Sequence, residues 1–258
     1  MLKTNRIVLE VNGKTVEPET IHNWEFKRLV KAHRLLTNIY GVRFSDNFSQ
    51  WVKTKDVDAL QNEILRVKMH AGADAMKDML KSKYDMGNAS LMMAEKVSGG
   101  RHKFSTAEIV VPESSLSVDE IKQQLLDTLL TDNNIYTKAN LAAEPDHFVF
   151  QQSDENVQEV LEIIGKSPFP THYFVHFNDL AGVHSPKSAG YEDILAGTLR
   201  LSNGSIIGGV HHQIKPEKAG FRIKATVEFP TMTPLSLIHS HQIHLACEFG
   251  YWISDILD

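Results

Sequence analysis

The chain has 258 residues, of which 42% are hydrophobic and 23% charged, with a single cysteine, Cys247. That is globular composition; it excludes collagen-like, low-complexity and wholly disordered chains, and one cysteine can build neither an internal disulfide nor a Cys-rich zinc site. The net charge of -5 divides unevenly, with 16 Lys+Arg against 12 Asp+Glu in residues 1–100 and 11 against 20 in residues 101–258. The basic residues are spaced among acids rather than clustered, so nucleic acid is not an expected partner. No window approaches the roughly 18 to 20 apolar residues of a membrane span, and residues 1–11 show no signal-like core. The expectation is a soluble, cytoplasmic protein that does not engage membrane.

Residues 5–16 read as a small hairpin around Asn12-Gly13, a pair that accepts the positive φ angles of a tight turn. From Pro18 the apolar period becomes helical, with Ile21, Trp24, Leu29, Ala32 and Leu36 on one face up to about Tyr40, where Gly41 supplies a stop. A longer helix is predicted over 54–83 and a short third one through Met92 and Met93. Ser98-Gly99-Gly100 then marks a boundary between a helical region, 1–100, and the remainder, 101–258.

Residues 104–111 read as a strand closed by Pro112, and Ser117-Val-Asp-Glu120 is a capping box ahead of a helix to about Leu130. A strand follows over 146–151. A short helix is predicted over 154–164 from the spacing of Val157, Val160, Leu161 and Ile164. Strands are then expected over 171–178, over 194–201 and 206–214 as a hairpin turning at Asn203-Gly204, and over 221–229, where Phe221, Ile223, Ala225, Val227 and Phe229 alternate with polar residues. Thr233-Pro234 opens a C-terminal helix over 235–257. The pattern is α+β: an antiparallel sheet packed against a long C-terminal helix, of helix-grip type, preceded by a helical N-terminal region.

Nine of the thirteen histidines fall between positions 147 and 244. On the C-terminal helix His241, His244 and Glu248 share one stripe, and His244-x-x-x-Glu248 is a spacing that can hold one metal ion. His172 and His176 share a strand face but stand roughly 13 Å apart, so at most one of them joins a given site. His212 shares a face with Val210 and Ile214. The expected metal ligands are His212, His244, Glu248 and His172, with His241 or His176 as a further ligand or general base. Three nitrogens and a carboxylate suit zinc, or iron or manganese with open positions. The plainer alternative is that these histidines are hydrogen-bonded structural groups. No phosphate loop or G-x-S-x-G elbow is present, so no nucleotide cofactor is expected. Cys247 reads as packing, since a carboxylate neighbour disfavours a thiolate.

A sheet and last helix carrying His244-x-x-x-Glu248, with His172 as a third residue, resembles the zinc-dependent hydrolases of acylated phloroglucinols. The resemblance covers none of the first hundred residues. It implies a metal held by His and Glu under the last helix. The sequence therefore supports two expectations. One is a metal-dependent hydrolase or lyase acting on a small carbonyl or aromatic compound. The other is a non-enzymatic ligand-binding or interaction module, its Met-bearing helices forming the partner surface. A homo-oligomer is left open.

Overall fold

The computed structural model describes residues 6–37, 42–131 and 133–258. The predicted helix end at Tyr40 and Gly41 lies outside the described residues. Among those described, the chain is α+β, with nine strands in one antiparallel sheet and six helices. The hairpin β1 (Val8–Val11) and β2 (Lys14–Thr15) turns at Asn12 and Gly13, both at positive φ as a tight turn requires. Three helices follow: α1 (Pro18–Leu36), α2 (Phe48–Thr54) and α3 (Val57–Ser98). Sequence periodicity missed α2. It also divided α3, which runs as one 42-residue element kinked at Gly72, where φ is 77° and ψ 168°, a conformation that suits only glycine.

The second stretch begins with β3 (His102–Val111), α4 (Val118–Leu130) and α5 (Asn134–Ala143). The expected capping box is formed: Glu120 N–H donates to Ser117 Oγ at 3.3 Å and Ser117 N–H to Glu120 Oε2 at 2.8 Å. Helix α5, unforeseen, starts where Asn133 Oδ1 accepts Tyr136 N–H at 2.9 Å. Then come β4 (His147–Asp154), β5 (Val157–Glu162), β6 (Thr171–Phe177), β7 (Glu192–Arg200), β8 (Ile206–Pro216), β9 (Phe221–Pro230) and α6 (Leu235–Leu257). Pro234 is the N-cap residue of α6, and no side chain caps that end.

The sheet order is β2-β1-β3-β9-β8-β7-β6-β5-β4. The helix predicted over 154–164 is instead the β4–β5 hairpin, turning at Asn156 with φ 59°. The physical reason is two-sided burial. Val160 joins the core under α6, whereas Leu161 and Ile163 pack with Leu29, Leu60 and Ile64 of α1 and α3. A strand covered on both faces loses its polar alternation and takes on a helix-like apolar spacing. One face of the sheet thus carries α6, which packs against β1, β3 and β9, and α3 lies across the other face at β4 and β6.

Two packing details give tests. Gly87 of α3 sits where an added Cβ would lie 2.1 Å from the Pro170 carbonyl oxygen. Gly87→Ala therefore forces α3 away from the β5–β6 loop and is expected to cost about 1–3 kcal/mol, read as a lowered Tm; an unchanged Tm contradicts this packing. Lys68 is fully buried, its Nζ donating to the Pro145 carbonyl at 2.9 Å and lying 5.6 Å from the Phe148 ring centre. Burial lowers its pKa to about 7, against attraction from Asp146 and Glu144. Between that value and the ordinary 10.5, the unfolded chain holds a proton that the folded one has released, so this group's contribution rises with pH across the window and is lost as pH falls toward 7. Lys68→Met is expected to stabilise the protein more at pH 7 than at pH 10, measured by denaturant unfolding; an equal effect at both pH values contradicts it.

Candidate metal centre

Alternation along the strands decides which side chains face α6. Inward on β5 are Gln158, Val160 and Glu162, and on β6 Tyr173, Val175 and Phe177; β8 contributes Val210 and His212. With His241, His244, Glu248, Phe249 and Trp252 of α6 they line a cavity of about 50 Å³, room for a few waters or one ion with its solvent. Its walls are mainly apolar and its polar groups converge at one end.

The cluster at that end is built from three elements, with His147 joining it from outside the cavity lining. His147 opens β4, Glu162 closes β5, and one helical turn of α6 sets His244 and Glu248 on the same side. His244 Nε2 lies 3.1 Å from Glu162 Oε2, and His147 Nε2 lies 3.4 Å from Glu248 Oε1 and 3.5 Å from Glu162 Oε2. In a tetrahedral shell with bonds of about 2.0–2.2 Å, neighbouring ligand atoms stand about 3.3–3.6 Å apart. Two of these three separations fall in that range and the third lies just below it; the trios His147, His244, Glu248 and Glu162, His241, His244 each have one ligand atom per residue within 4.8 Å of the others.

Hydrogen bonds behind the donors orient them. His147 Nδ1 lies 2.8 Å from the Asn140 carbonyl oxygen, and because a carbonyl only accepts, Nδ1 carries a proton, which turns Nε2 toward Glu162 and Glu248. This buried Nε2 has no hydrogen-bond partner, nor has His244 Nδ1. Tyr173 donates to Glu162 Oε1 at 2.6 Å, leaving Oε2 for the two histidines. These are the supports that fix ring tautomer and carboxylate orientation around metal ions.

The electrostatics favour protonated rings, whose protons an ion would have to displace. Burial alone lowers the pKa of both rings, but Glu162 and Glu248 raise His147 to about 10, and Glu144, Glu162 and Glu248 raise His244 to about 9. Glu162 is held well below the ordinary carboxylate range, its burial overcome by His244 and His147. Behind them, Trp24 Nε1 donates to Glu144 at 3.3 Å and Arg28 pairs with Asp146, Nη2 to Oδ1 at 2.7 Å. Burial raises Glu144 to about 8.

Among the residues expected from sequence, the structure brings His244, Glu248, His212 and His241 to the cavity. His212 is lowered to about 3 by burial and then by His211, and its Nδ1 accepts Thr226 N–H at 3.3 Å, so Nε2 carries the proton of a neutral ring. Burial, then His244, lowers His241 to about 3, with Nδ1 3.0 Å from Ser105 Oγ. The structure does not bring His172 and His176 there: they share the opposite face of β6 from Tyr173, and His172 Nε2 lies 2.8 Å from Glu159 Oε1. Sequence reasoning missed His147 and Glu162 as site residues. Cys247 is buried, and burial pushes its thiol well up. No helix among the described residues is long and apolar enough to cross a membrane. No protein-family model matches the chain, and a search of curated proteins finds no match.

Proposed function

We propose that the protein is a metal-dependent hydrolase or lyase of a small carbonyl or aromatic compound, with a divalent first-row ion held among His147, Glu162, His244 and Glu248. The observation that carries this reading is the convergence of two buried histidine nitrogens, Nε2 of His147 and Nε2 of His244, on the carboxylates of Glu162 and Glu248. An ion that took three of these side chains as ligands would keep a position open, in which it would polarise a substrate carbonyl and lower the pKa of a bound water toward about 7.

The chain's own groups supply the rest. His212, neutral with its proton on Nε2, is a donor for a substrate oxygen on which negative charge develops. His241 is a neutral ring held in the cavity wall by its contact with Ser105 Oγ. Phe150, Phe177, Phe249 and Trp252 form the apolar walls, which suit an aromatic or short acyl body and exclude water. The cavity is smaller than such a substrate, so entry requires side chains to part.

The test is to strip the purified protein with a chelator, reload it with zinc, iron or manganese, and assay a panel of aryl esters and acyl-arenes. Turnover that returns with metal and falls at least about 100-fold in His212→Ala supports the reading. Metal-independent turnover, or none with the ion bound, counts against it.

A further inference from the structure

We infer that the opposite face of the sheet carries a second cation site, formed by His102, His184 and Glu228, for a divalent first-row transition ion such as zinc. One ligand atom from each of the three lies within 4.8 Å of the others. The site is separate from the cavity under α6, because Glu228 alternates with the inward Val227 and Phe229 of β9 and so points away from the helix.

His102 begins β3, and Phe104, two residues on, pairs with Glu228. His102 and Glu228 therefore share one face as diagonal neighbours of an antiparallel ladder. The loop between β6 and β7 brings His184 over them. Its ring stacks on His102 with centroids 4.5 Å apart, and its Nδ1 lies 3.2 Å from Glu228 Oε2. In the absence of an ion that contact is a hydrogen bond, and Oε2 also accepts the His184 backbone N–H at 3.0 Å.

Two further observations point to a ligand. The His102 side chain is only 2% exposed, yet neither of its ring nitrogens has a hydrogen-bond partner. Glu95 Oε2, from the last turns of α3, is also unpartnered and lies 3.1 Å from His102 Nε2 without the alignment of a hydrogen bond. Glu228 is held in place by Oε1, which accepts the backbone N–H groups of His184 at 2.8 Å and Ser185 at 2.7 Å. Such bonds explain why this buried carboxylate is tolerated, but they leave the His102 nitrogens idle. An ion between the three residues satisfies them and pins the loop to the sheet.

The experiment is zinc stoichiometry on the full chain. Chelator-treated protein is equilibrated with zinc against a competing chelator, and bound zinc is measured for wild type, His102→Ala, His184→Ala and His147→Ala. Wild type is expected to hold two zinc ions per chain, and each single variant one. His184, whose side chain is 44% exposed, can be truncated without emptying the core, so it decides the matter if His102→Ala does not fold. One ion lost in His184→Ala but kept in His147→Ala supports this site and sinks the inner one. Zinc content unchanged by both His102→Ala and His184→Ala overturns the proposal.

Discussion

His147→Ala is expected to cut metal affinity by more than about 100-fold, beyond the 10- to 100-fold typical of losing an outer support, and to abolish metal-dependent turnover. The argument rests on what each of the four groups has besides the ion. Glu162 keeps the Tyr173 hydroxyl and His244 keeps Glu162, whereas His147 Nε2 is the group that bridges Glu162 and Glu248, at 3.5 and 3.4 Å. Removing the imidazole also withdraws a positive group from between Glu162 and Glu248. The variant should therefore fold less stably without metal than its small loss of contact area suggests. Isothermal titration with zinc, alongside elemental analysis, reads the effect. Wild-type affinity at the inner site in His147→Ala would refute the assignment of this residue.

Arg28→Ala is expected to destabilise the fold by about 3–5 kcal/mol, the range for removing one partner of a buried ion pair. Arg28 and Asp146 are both buried and joined by two hydrogen bonds, from Nε and from Nη2, the latter at 2.7 Å. Without the guanidinium, Asp146 is left charged in the interior beside Glu144, itself fully buried. Asp146 directly precedes His147, so the pair also anchors the entry to β4. Arg28→Met with Asp146→Asn removes both charges and should recover much of the loss. Denaturant unfolding of the single and double variants checks this; a single variant as stable as wild type would contradict it.

The helical half of the inner site was legible in the sequence because α6 has a strong period. His241, His244 and Glu248 fall on one stripe whatever packs against it, and all three line the cavity. The strand half was not legible. Glu162 ends a strand buried on both faces, where Val157, Val160, Leu161 and Ile164 mimic helical spacing. His147 opens a strand whose register shifts between His147 and Val149, so simple alternation does not assign its face. His172 and His176 failed to reach the cavity for a parity reason. Aromatics occupy both faces of β6, Tyr173 and Phe177 on one and Phe174 on the other, and only the packing of α6 and α3 decides which is inward. Fold class was easier, since the capping box at Ser117 and the alternation of 221–229 are local signals that tertiary structure did not override.

The central claim is that side chains from β4, β5 and α6 hold one ion at the polar end of the cavity. It is tested most directly by an anomalous-difference map, collected at the zinc absorption edge from crystals of the reloaded protein. The account predicts a peak within bonding distance, about 2.0–2.2 Å, of His147 Nε2, with His244 and a carboxylate of Glu162 or Glu248 as further ligands. A map with no density among these four residues, in protein shown to be folded and zinc-treated, would contradict it.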